Sequence, residues 1–311
     1  MNRRTPHNVS ASVHRRLLNI ARETARPFDE VLQYFAMERF LYRLSQTKHA
    51  DSFVLKGALL FRIWDTPDSR ATRDIDLLAY LDNSPDNLAD IIRDVCTVDS
   101  ADDGLEFEPE TVDAQRIKED ADYEGVRIRF RGQLGNARVH MQVDVGFGDH
   151  VHPAAVEADY PTLLDLPAPS LRIYPPETVV AEKAEAMVHL GSLNSRMKDF
   201  YDIWRMSQHF NFEGTDLCEA IRRTFGNRST AVIEFDELVG ELLNSENFQK
   251  QWTAFLIKSA VSGPDAFPEV LALIGDFLSP VFSSVKSNKV LDQEWLSPGP
   301  WHSVKRSKNQ P

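Results

Sequence analysis

The sequence predicts an α/β or α+β chain in two parts, with a mixed sheet first and a helical part after it. Three observations predict this. Apolar and polar residues alternate with period two between 105 and 145, as in Val126-Arg127-Ile128-Arg129-Phe130, which is the pattern of half-buried strands. Apolar residues at helical spacing dominate both ends of the chain. Between them the composition shifts to proline, with Pro161, Pro167, Pro169, Pro175 and Pro176. That shift predicts a first domain over 1–150, a linker and helical domain over 151–303, and a disordered tail over 304–311.

In chain order, Val13, Leu17, Leu18 and Ile20 predict a helix over 10–25, and Phe28 to Leu44 continues as a longer one after Pro27. In the string MERFLYRLS, Glu38, Arg39 and Arg43 are read as surface or packing charges. The short apolar run Phe53-Val54-Leu55 leads to a turn at Lys56-Gly57-Ala58 that opens a helix to Trp64. A polar loop over 65–73 precedes a strand beginning Asp74-Ile75-Asp76. Pro85 to Val98 reads as a helix, and Leu105–Phe107, Gly125–Phe130 and Val139–Val145 read as strands. Pro176 to Gly191 and the segment from Met197 form a helical hairpin. Four further helices are expected over 215–225, 233–244, 246–258 and 267–282, and Trp295 and Trp301 pin the stretch that follows.

With 311 residues the chain can bury one large core or two modest ones. No apolar run is expected to approach the ~20 residues of a membrane span. The basic N-terminus lacks an apolar h-region, so no secretory signal is expected and the cytoplasm is the expected compartment. Cys96 and Cys218 make neither a metal set nor a disulfide framework. The net charge of −12 is concentrated: residues 82–124 hold 15 acidic and 3 basic side chains, whereas 1–26 hold 6 basic and 1 acidic. The acidic stretch reads as a solvated face. The overall acidity does not exclude a nucleic-acid partner, because charge distribution matters more than its total.

The chemistry concentrates around Asp74 and Asp76. Residues two apart on a strand share a face, so the two carboxylates project together while Ile75 and Leu77 enter the core. Like charges so placed repel unless a cation lies between them, and Mg²⁺ is held by one or two carboxylates plus substrate phosphates. Gly57, 17 residues upstream, permits close backbone approach to a ligand at the expected helix start. On the strand VHMQVDVGFGD, His140, Gln142 and Asp144 share one face.

The motif KGALLFRIW…SRATRDIDLLAYL resembles the nucleotidyltransferase-fold toxins of the AbiEii type, which include the MenT toxins of toxin–antitoxin and abortive-infection systems. EKAEAM…SRMKDFYDIW is similar to a second signature of that family. The resemblance extends from about Val9 to about Phe210. It implies a nucleotidyltransferase core whose active site the helical domain completes. It assigns Asp74, Asp76, Lys183 and Asp199 to catalysis, and Lys56, Gly57, Ala58, Arg70, Lys183 and Arg196 to the NTP. Asp74, Asp76 and Asp144 would hold two Mg²⁺ ions. Asp149 stands as the alternative third carboxylate and Asp202 as the alternative to Asp199. Ala58 departs from the Gly or Ser common at its place, so backbone N–H groups would have to serve a phosphate there. The implied reaction moves NMP from an NTP to an RNA acceptor, the tRNA 3′ end, and blocks translation; a cognate antitoxin protein is the implied partner. Two other readings stay open: a nucleotide-binding regulatory protein without turnover, and a nucleotidyltransferase acting on a protein or small molecule.

Overall fold

The computed structural model describes residues 6–64, 70–99, 103–120, 123–243 and 246–304. The chain divides into two compact units, Met1–Gly148 with Val156–Ile173, and Asp149–Ala155 with Tyr174–Pro311.

The first unit opens with α1 (Pro6–Glu23) and α2 (Phe28–Ser45). Asp29 and Glu30 lie in the first turn of α2, where carboxylates meet the positive end of the helix dipole. The chain continues through β1 (Phe53–Lys56), the four-residue α3 (Leu60–Ile63), β2 (Asp74–Ala79) and α4 (Pro85–Thr97). Then come β3 (Leu105–Asp120), β4 (Tyr123–Leu134), β5 (Ala137–Phe147), β6 (Val156–Asp159) and β7 (Ser170–Ile173). These seven strands form one mixed sheet in the order β3-β4-β5-β2-β1-β7-β6. β2 runs parallel to β5 and antiparallel to β1, and β7 pairs in parallel with β1. One sheet face carries Val126, Ile128, Phe130, Met141, Val143 and Val145, all buried. Phe40 of α2 meets Phe107 and Phe130 there, with ring centroids 5.2–5.9 Å apart.

Two expectations change, and a third is decided between its alternatives. Phe53–Lys56 is a strand buried along its whole length, the apolar signature of a central strand flanked on both sides. The proline-rich run read as a linker supplies β6 and β7 and clusters with the first unit; its prolines lie between and beyond the short strands, where no ladder N–H is needed. Glu38, Arg39 and Arg43 are packing charges and not surface ones. Glu38 and Arg39 pair at 2.8 Å with 1% exposure each, the Leu163 N–H donates to Glu38 at 2.7 Å, and Arg43 meets Asp103 at 2.9 Å. Burial pushes the Glu38 carboxyl up to about 7 against the pull of Arg39. Asp103 is therefore one member of the acidic stretch that is not solvated.

The second unit contains α5 (Pro176–Leu190), α6 (Met197–His209), β8 (Phe212–Glu213), α7 (Gly214–Asn227), α8 (Phe235–Leu243), α9 (Glu246–Ser259), α10 (Phe267–Lys286), β9 (Gln293–Trp295) and β10 (Trp301–Ser303). Pro176 starts α5, and Gly191, at φ +49°, ends it. The three short strands form a second sheet. Trp295 Nε1 donates to the Ser207 carbonyl at 2.7 Å and Trp301 Nε1 to that of Phe277 at 2.9 Å, so both tryptophans pin the segment as expected. Contrary to expectation, α10 is long and apolar enough to cross a membrane by length and composition. Its Val270, Leu271, Ile274, Phe277, Leu278, Val281 and Phe282 are nonetheless buried in this unit. Residues 65–69 of the expected loop and 305–311 of the expected tail lie outside the described residues.

Candidate active site

In the first unit, strand register builds a candidate site. Lys56 of β1 lies opposite Asp76 of β2, Asp76 opposite Asp144 of β5, and Asp144 opposite Arg127 of β4. Four adjacent strands therefore carry a row of cation, anion, anion, cation, with neighbouring strands about 4.8 Å apart. Asp74, two residues before Asp76, shares that face and lies opposite Gln142. Arg127 grips Asp144 with both prongs: Nε donates to Oδ1 at 2.8 Å and Nη2 to Oδ2 at 2.7 Å. Gln142 Nε2 donates to the same Oδ2 at 3.3 Å.

Gly57 closes over Asp76. It sits at φ +74°, and a Cβ placed on it would overlap the Asp76 carboxylate, coming within 2.7 Å of Cγ and 2.8 Å of Cβ. Both the backbone conformation and the space demand glycine. The helix expected to open here is a 3-10 turn, Gly57–Leu59, running into the short α3. A phosphate at this turn would meet single N–H groups and not the dipole of a long helix. Ala58 is buried. The segment leading into β2 is pinned from α2: Tyr34 Oη accepts the Thr72 N–H at 3.1 Å, and Gln33 Nε2 donates to the carbonyls of Arg73 and His140 at 3.2 and 3.1 Å. The Thr72 hydroxyl accepts the Asp74 N–H at 3.4 Å.

The second unit holds a charge cluster on α5 and α6. Lys183 Nζ lies 2.8 Å from Asp199 Oδ1 and 2.8 Å from Asp202 Oδ2. Both aspartate side chains are 2% exposed, and Arg196 Nε lies 2.9 Å from Asp199 Oδ2. Burial works to raise the Asp199 carboxyl, but Lys183 and Arg196 outweigh it and hold the group below its ordinary value. A carboxylate so held is a weak proton acceptor, and its geometry suits orienting Lys183. Asp149 belongs to another cluster of this unit. Arg228 reaches it at 3.1 Å and Glu185 at 2.9 Å, with Glu182 at 3.8 Å; these carboxylates outweigh burial and raise the Arg228 guanidinium above its ordinary range.

Residues 39–273 match the family model described as the nucleotidyl transferase AbiEii toxin of type IV toxin–antitoxin systems. The chain belongs to this family. Membership makes nucleotidyl transfer the reaction class, an NTP the substrate and an antitoxin the implied partner. No curated protein matches the chain. Among solved structures, JHP933 from Helicobacter pylori is similar at 14% identity and TM-score 0.45, over 83% of this chain and 94% of that one. An H. pylori protein described as a candidate nucleotidyltransferase is similar at 13% identity and TM-score 0.43, over 84% and 98%.

AbiEii membership directs attention to divalent metals, and the donor set can be weighed. Among the described residues, no group of three or more His, Cys, Asp or Glu is arranged to hold an ion. Asp74 and Asp76 fit a site completed by substrate phosphates. Asp144 lies in the right register beside Asp76, but Arg127 occupies both of its oxygens; to act as a third ligand it would have to give up that guanidinium. The sequence reading missed Arg127, Gln142, Gln33 and Tyr34. Arg127 was visible in the alternation Val-Arg-Ile-Arg-Phe, whereas the two α2 residues carry no local signal.

The Lys183 cluster yields a prediction. Lys183→Ala leaves Asp199 and Asp202 buried without their shared cation, and stability should fall by about 3–5 kcal/mol, the cost of breaking a buried pair. Lys183→Arg keeps the charge and most of that stability. Its planar fork replaces a compact ammonium, and transfer should drop at least about tenfold, a loss of about 1.4 kcal/mol in transition-state stabilisation. Full transfer by a folded Lys183→Ala, measured beside a thermal melt, would refute a phosphate-binding role for Lys183, whereas full transfer by Lys183→Arg would show that positive charge alone suffices there.

Proposed function

We propose that this chain transfers a nucleoside monophosphate from an NTP to the terminal hydroxyl of an RNA, the tRNA 3′ end, in the cytoplasm, and thereby blocks translation. The carrying observation is the register that sets Asp76 beside Asp144, one step from Asp74, under a glycine that tolerates no side chain. The acceptor oxygen forms a bond to the α-phosphorus, the bond from that phosphorus to the bridging oxygen breaks, pyrophosphate leaves, and the hydroxyl proton passes to solvent. Mg²⁺ bound at Asp74 and Asp76 would supply neutralisation of phosphate charge and a more acidic attacking hydroxyl. Lys56 stands next to Asp76 in register and, with the Gly57–Leu59 turn and Arg70, orients the nucleotide. Arg127 holds Asp144 in place, Lys183 and Arg196 add positive charge for the triphosphate, and Asp199 orients Lys183.

Incubation of the purified protein with each labelled NTP and Mg²⁺, in the presence of total tRNA or of cell protein, tests this reading. Label should enter RNA, depend on added Mg²⁺, and resist protease. Label in protein or a small molecule would replace RNA as the acceptor, and NTP binding without any transfer would leave a regulatory nucleotide-binding protein.

A further inference from the structure

Within the first unit, β2, β4 and β5 meet α2 and β3 around a cleft of ≈ 820 Å³ that reaches Asp74. Its lining includes Arg73, Arg129, Arg131, Arg138 and His140. Alternation places Arg127, Arg129 and Arg131 on one face of β4, and Arg138 and His140 on the same face of β5. The cations step away from the carboxylate row in single file, about 6.8 Å for every second residue of a strand. That is comparable to the spacing of successive phosphates in an extended nucleic-acid strand.

These guanidinium groups are not equally committed. Arg127 is bound to Asp144, and Arg131 pairs with Glu108 at 3.1 Å. Arg129 makes only a 3.2 Å hydrogen bond to Gln142, and no carboxylate among the described residues pairs with Arg73, Arg129 or Arg138. All three are exposed. Asp29 and Glu110 also line the cleft, and β3 forms the sheet edge beyond β4. On it Glu108 and Asp113 stand opposite Arg131 and Arg129 in register, so carboxylates bound the file of arginines on that side. A guanidinium fork matches phosphate oxygens bidentately, and a positive groove that follows the backbone is how single strands are held without regard to sequence.

We propose that Arg73, Arg129, Arg131 and Arg138 form a track for the phosphodiester backbone of a single-stranded RNA end, leading its terminal hydroxyl toward Asp74 and Asp76. The inference rests on the reading that the acceptor is RNA, and it names the surface that binds that acceptor. A protein acceptor on the same surface is an outcome of the test.

The test uses the full chain carrying Arg129→Gln with Arg138→Gln, and a companion with both changed to Lys. Binding of a fluorescent single-stranded oligoribonucleotide is measured by anisotropy across a KCl series, beside NTP binding, a thermal melt and the transfer assay. The Gln pair should weaken RNA binding at least about tenfold and flatten the log–log salt slope by about 1.4, or 0.7 for each lost contact on a single strand. The Lys pair should restore most of that slope, with NTP affinity and the melt unchanged throughout. An unchanged RNA affinity and slope in the Gln pair overturns the track, as does a wild-type protein that binds no oligonucleotide at low salt. If the Gln pair still labels RNA with wild-type KM, the track falls and the acceptor reading stands. Transfer to protein alone overturns the acceptor reading and, with it, the track as a guide for an RNA terminus, even if Arg129 and Arg138 still govern RNA binding.

Discussion

Asp76→Ala should reduce nucleotidyl transfer by on the order of a thousandfold or more, a loss of roughly 4 kcal/mol in transition-state stabilisation. Asp76 is the carboxylate on which the site converges: Lys56 and Asp144 are its register partners and Gly57 closes against it. Asp76→Asn preserves shape and should be similarly inactive, which separates charge from packing. Stability should change little. Asp76 has the cation Lys56 on one side and the anion Asp144, itself held by Arg127, on the other, and opposite and like cross-strand charges act in opposite senses. The Asn variant should therefore melt close to the wild-type temperature. Transfer within tenfold of wild type by either variant would remove Asp76 from the reacting centre. Inactivity accompanied by a large drop in melting temperature would make its role structural.

Gly57→Ala should be nearly as damaging, although it adds one methyl group to a residue with no chemistry of its own. At φ +74° an alanine incurs about 1–3 kcal/mol of backbone strain. Its Cβ would also occupy the place of the Asp76 carboxylate, so Asp76 must turn away or β1 must shift. A displacement of about 1 Å at a reacting group can cost on the order of a hundredfold in rate. The expected result is a folded protein, destabilised by about 1–3 kcal/mol, with transfer reduced at least that far. Denaturant melts and initial rates measure both quantities. Wild-type rate with only the strain penalty would show that the carboxylate can relocate without consequence, and the tight approach would then be incidental.

Much of this site is written locally. The alternation through Asp74-Ile75-Asp76 places both carboxylates on one face with Ile75 buried between them, because strand periodicity follows from backbone geometry alone. The hairpin carrying Lys183 and Asp199 is equally local: Pro176 starts one helix, Gly191 ends it, and apolar spacing defines the next. What lay beyond the sequence depended on neighbours distant along the chain. Phe53–Lys56 has only four residues and apolar character on both faces; it is a strand because β2 and β7 flank it. The run read as a linker pairs as β6 and β7 because a sheet edge accepts short strands between prolines. Glu38 and Arg39 are buried because Arg39 meets a carboxylate next to it and the Leu163 N–H, 125 residues away, reaches Glu38.

The sequence by itself determined the family, the pairing of Asp74 and Asp76 on one strand face, and the strand face on which Asp144 projects, since each depends on residue types at fixed short spacing. Tertiary structure alone decided that Asp144 stands beside Asp76, that Arg127 holds both of its oxygens, and that Gly57 leaves no room above the carboxylate. Periodicity specifies which way a side chain points. Which strand lies next to it, and in what register, is settled only when the whole sheet minimises buried apolar exposure and unpaired backbone groups together.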